Sequence, residues 1–124
     1  MRTPLTDLLT ARLRRTRDGG ETWPAFAYFV LTQLQAEFGG AAGSRSFAAK
    51  TLSVSRAVVE RLGSISSKRD PSIGRKAGRT PEEITPAERA WLEAVVVRLI
   101  RRVGEHAGGG PLPLITMADF PPLV

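Results

Sequence analysis

Cysteine is absent from the chain, which excludes a disulfide staple, a thiolate metal site and a cysteine nucleophile, and leaves stability to packing alone. Histidine occurs once, at His106, so any histidine-based acid–base scheme rests on that position. One histidine and scattered carboxylates lack the convergent ligand set that zinc or a two-metal site requires, so no metal and no cofactor is expected. The sequence contains no internal repeat, no heptad run and no glycine-rich phosphate loop. Long apolar runs are missing too. The opening "MRTPLTDLLTARLRRTRDGG" mixes basic residues with leucines and has no small-residue cleavage site, so neither a signal peptide nor a spanning helix is expected. These absences point to a soluble protein of a reducing cytoplasm, with no membrane partner.

What is present fits one domain. The 124 residues, 42% of them hydrophobic, suffice for one core and are too few for two independent ones, so residues 1–124 read as a single helical domain. Eighteen Lys and Arg against twelve Asp and Glu give a formal charge of +6 and a pI near 11.0. That balance favours phosphate-rich or acidic partners through long-range attraction and says nothing about fold.

The punctuation is helical. Thr3 and Pro4 start a short amphipathic helix with Leu5, Leu8, Leu9 and Leu13 on one face and Arg12, Arg14, Arg15 and Arg17 on the other, stopped by Asp18, Gly19 and Gly20. Thr22 and Pro24 start a second, "AFAYFVLTQLQAEF", with Phe26, Phe29, Val30, Leu34 and Phe38 along one side. Trp23, Phe26, Tyr28, Phe29 and Phe38 make this segment the expected main contributor to the core. Residues 44–67 are helical again, interrupted at Ser53 to Ser55. Thr80-Pro81 and Thr85-Pro86 each head a capping pattern with Glu83 and Glu88 three residues after the threonine. The second pattern launches the longest helix, in which Leu92, Val95, Val96, Leu99, Val103 and His106 share a face and Arg98, Arg101, Arg102 and Glu105 tend to the other. The tail "PLPLITMADFPPLV" is apolar and proline-rich. It is expected to lie extended over the body or over a second subunit, with one turn at Thr116 to Asp119. The expected fold is therefore all-α, a compact bundle of four to five helices with an extended C-terminal tail from residue 111 to 124.

Within "FAAKTLSVSRAVVERLGS", Ala49 stands at a close-contact position, Leu52 and Val54 bracket a turn, Ser55 caps, and Val59 and Leu62 face inward. Ser55, Arg56, Ala57, Glu60, Arg61 and Ser64 are left on the outer face, a set able to bond phosphates and base edges. In this spacing residues 48–64 resemble the helix-turn-helix segment of bacterial repressors and regulators. The resemblance implies a DNA-binding module. Ser53 stands where a left-handed residue, normally glycine, is required, and a side chain there costs on the order of 1 kcal/mol. The loop that follows adds Lys68, Arg69, Arg75, Lys76 and Arg79, able to reach a flanking phosphate backbone as a basic arm does.

Other readings of the same residues stay open. Two amphipathic helices joined by a polar corner would show a similar pattern while only packing on the second helix, and the basic loop would then be a solvated charge run. On that reading the chain is a protein-interaction or assembly domain, homo-oligomeric through the second helix and the tail, with an acidic protein as partner. Arg101 and His106 form an Arg-x4-His spacing similar to that of HEPN-type ribonucleases, which implies RNA cleavage by residues of paired subunits. Residues five apart on a helix lie about 140° from each other, while Arg102 and His106 are about 40° apart, so the pair that the motif names is not the pair best placed to converge. "RKA", "ITPAERAWLEA", "LIRRVGEHA" and "ITMADFPPL" are similar to segments recurring in a group of small bacterial helical proteins, a likeness that implies a self-contained fold and no chemistry.

Overall fold

The computed structural model describes residues 1–68 and 84–123. Five α-helices stand in this part of the chain: α1 Pro4–Arg17, α2 Trp23–Phe38, α3 Arg45–Leu52, α4 Arg56–Lys68 and α5 Pro86–Gly108, followed by a 3-10 turn at Met117–Asp119. Each helix begins behind a hydroxyl that accepts from the backbone N–H three residues on. Thr3 takes Thr6 at 3.1 Å, Thr22 takes Ala25 at 3.3 Å and Ser44 takes Phe47 at 3.2 Å. Ser55 takes Val58 at 3.4 Å, and Thr85 takes Glu88 at 3.1 Å. These bonds satisfy donors that a helix leaves orphaned, which is why the starts were readable. At Thr85 the Glu88 carboxylate returns a bond to the cap's own N–H at 2.9 Å. The first capping pattern, at Thr80-Pro81, lies outside the described residues.

Helices α2 and α5 each touch all four of the others. Phe26, Val30, Leu31 and Leu34 of α2 and Trp91, Leu92, Val95, Val96, Leu99 and Val103 of α5 are buried in one continuous cluster, closed by Leu9 and Leu13 of α1 and by α3 and α4. Each such side chain contributes about 1.5–3 kcal/mol relative to exposure. Tyr28 departs from the aromatic expectation. It lies on the outward side of α2, 46% exposed, because its position falls opposite the stripe of Phe26, Val30 and Leu34. Arg12 is likewise drawn in from the basic face of α1, paired with Glu21 and stacked 3.7 Å from the centre of the Phe29 ring.

Arg102 corrects the sequence reading more sharply. Expected on the polar face of α5, it is 0% exposed. Helical spacing explains why: Arg102 stands three residues after Leu99 and seven after Val95, on the inward stripe. The tail packs on its own chain. Ile115 is buried, and Phe120 meets Trp91 edge to face at 6.2 Å between ring centres. The expected turn is the 3-10 turn itself, where the Asp119 carboxylate accepts from the Thr116 N–H at 2.7 Å.

Candidate nucleic-acid interface

The corner between α3 and α4 is built from the residues that its sequence named. α3 ends after eight residues because Ser53 turns left-handed, at φ 55° and ψ 54°. The Val54 N–H then reaches back to the Ala49 carbonyl at 2.9 Å and the Ser53 N–H to the Lys50 carbonyl at 3.2 Å, the paired bonds that close a helix C-terminus. Among the described residues Ser53 alone combines a side chain beyond glycine with a positive φ. Ala49, Leu52 and Val54 are buried around the corner, and Val58, Val59, Leu62 and Ile65 carry α4 onto the core.

The opposite face of α4 is open. Arg56, Ala57, Glu60 and Arg61 are exposed, with Ser55 and Ser64 half-buried at its edges. Arg56 leans toward Glu60 at 3.6 Å with its side chain 69% exposed. So wet a pair is weak and leaves the guanidinium able to exchange partners. Lys68 closes α4; its side chain, and Arg69, Arg75, Lys76 and Arg79 of the basic loop, lie outside the described residues.

Sequence reasoning did not find what fastens the corner. Arg102 reaches it from α5, donating from Nη1 to the carbonyls of Leu52 at 2.8 Å and Ser53 at 3.2 Å. From Nη2 it donates to Pro113 in the tail at 2.7 Å, and from Nε to Glu105 at 2.9 Å. The two corner carbonyls form the negative end of α3, so the buried cation faces both a helix terminus and a carboxylate. Hydrogen bonds from Arg102 and then Arg98 hold the Glu105 carboxyl below the usual glutamate range. The tail completes the fastening through a parallel bridge between Val54 and Ile115. In it the Ser55 N–H donates to the Ile115 carbonyl at 2.8 Å and the Ile115 N–H to Ser53 at 3.0 Å. The position of Arg102 on the apolar stripe was the available signal. Its acceptors lie 50 residues upstream and 11 downstream, and no local pattern encodes such a meeting.

The ribonuclease-like spacing is placed differently. Arg101 leans on Glu105 at 3.6 Å, while His106 stands edge-on against Phe38 at 5.1 Å between ring centres. Arg102, the better-placed partner by helical angle, is committed to backbone carbonyls. Among the described residues no helix is long and apolar enough to cross a membrane. No protein-family model, no curated protein and no solved structure matches this chain.

Proposed function

We propose that the chain is a small, non-enzymatic DNA-binding module in which α3 and α4 act as a helix-turn-helix and α4 enters a major groove. The observation that carries this reading is the left-handed Ser53 between buried Leu52 and Val54, with α4 beyond it presenting Arg56 and Arg61 to solvent. An eight-residue helix, a three-residue corner and an outward-facing second helix are the geometry that sets side chains against base edges. In this role Arg56 and Arg61 bond guanine edges or phosphates. Ser55 and Ser64 bond phosphates, and Lys68, Arg69, Arg75 and Lys76 neutralise the flanking backbone.

The test is binding to duplex DNA at two salt concentrations. Affinity should fall steeply with salt; Arg56→Ala should cost affinity and selectivity, while Lys68→Ala should weaken all sequences alike and lower the salt slope by about one. Binding that is absent, or indifferent to salt, refutes the reading. The alternative is a protein-interaction or assembly domain without nucleic-acid binding. Light scattering across a concentration series tests it, with a constant monomer mass against it.

A further inference from the structure

We infer that the surface offered to DNA is composite: the extended tail segment at residues 113–116 flanks the start of α4 and adds Leu114 as an apolar contact to the duplex. This rests on the helix-turn-helix reading above and assigns a role to a segment outside that motif. The backbone around Leu114 is held on both sides. The Pro113 carbonyl is gripped by the buried Arg102 at 2.7 Å, and Ile115 is bonded to Ser53 at 3.0 Å and Ser55 at 2.8 Å. Successive side chains of extended backbone point to opposite sides. Ile115 and Val54, paired in the bridge, turn inward and are 2% and 5% exposed. Leu114 therefore turns outward, and it is 59% exposed.

Leu114 is largely open to water, yet the residues on either side of it are tied down, Pro113 by Arg102 and Ile115 by Ser53 and Ser55. Its neighbour Ile115 is bonded to Ser53 and Ser55, at the end of α4 that enters a groove first on this reading. The walls of that groove offer apolar partners in thymine methyl groups and deoxyribose edges. In the tail no acidic side chain precedes Asp119, so residues 111–118 carry none to repel phosphates.

The experiment uses the full chain and a duplex recovered by selection from random-sequence DNA, with binding followed by fluorescence anisotropy. Leu114→Ala, Leu114→Glu and Arg56→Ala are compared, each checked by urea denaturation; the Leu114 changes are at an exposed site and should leave the midpoint in place. Leu114→Ala should weaken binding roughly tenfold, the loss of one partly buried leucine contact, and Leu114→Glu should weaken it further by repulsion. If Arg56→Ala weakens binding while both Leu114 variants bind as the wild type does, α4 reads DNA without the tail and the inference is overturned alone. If Leu114 matters and Arg56 does not, the composite surface is equally refuted. If selection recovers no duplex, the DNA-binding reading falls and takes the inference with it.

Discussion

Replacing Arg102 by methionine probes the tie between corner, tail and α5. The guanidinium bonds three backbone carbonyls. Ser53 keeps a second donor in the Ile115 N–H at 3.0 Å, so the two carbonyls left without their donor are those of Leu52 and Pro113. Pro113 is exposed and its carbonyl is open to water, so the cost of an unsatisfied buried acceptor, about 1–3 kcal/mol, falls on Leu52 alone. Methionine fills much of the volume and removes a costly buried cation, which returns part of that loss. The net expectation is a destabilisation of about 1–2 kcal/mol, a sizeable share of the 5–15 kcal/mol typical of a domain. Arg102→Ala should cost more, about 3–5 kcal/mol, because a cavity is added. Urea denaturation gives the totals, and amide hydrogen exchange locates them. The N–H groups of Ile115 and Ser55, both in the tail bridge, should lose protection before those of α2. A methionine variant within 0.5 kcal/mol of wild type (roughly the noise of neutral surface changes), with Ile115 equally protected, would show that the guanidinium does not hold the corner.

Further substitutions test neighbouring inferences. Ser53→Gly should stabilise the chain by about 0.5–1 kcal/mol in urea, since it relieves a left-handed side chain and gives back part of the gain in unfolded-chain entropy; an unchanged or lower midpoint means the hydroxyl contributes something else. Gly39→Ala should be strongly destabilising, because a Cβ there would overlap the Gln35 carbonyl oxygen and come within 2.6 Å of the Ser44 nitrogen. Gly63→Ala would first meet the movable end of Arg45 and gain up to about 1 kcal/mol of helix propensity, so Gly39→Ala should melt well below it; equal melting temperatures contradict this. Glu105 titrates lower in the folded chain than in the unfolded one. Its contribution is therefore present above the ordinary glutamate range and is lost as the pH falls through its lowered folded value. Glu105→Gln should flatten that acid loss of stability, and a pH profile of urea midpoints identical to wild type would count against it.

Helix starts and stops were legible because they are local. A threonine, a proline and a glutamate within four residues satisfy their own backbone donors, as at Thr85, and need nothing from elsewhere in the chain. The corner was legible for a similar reason: Ala49, Leu52, Val54 and Val59 are spaced so that one left-handed residue buries them together. The turn at Thr116 to Asp119 is another local device.

Arg102 and the tail were of a different kind. Whether an arginine on an apolar stripe is buried or reaches past the core to water depends on whether acceptors wait at the end of its side chain. Those acceptors come from the end of α3 and from Pro113, brought together only when three distant segments pack. Sequence by itself determined the helices, their caps and the site of the sharp corner, since each rests on bonds spanning a few residues. Tertiary structure alone decided that a buried cation and a bridged segment of tail fasten that corner, because burying a charge is tolerable only where partners from remote parts of the chain converge on it.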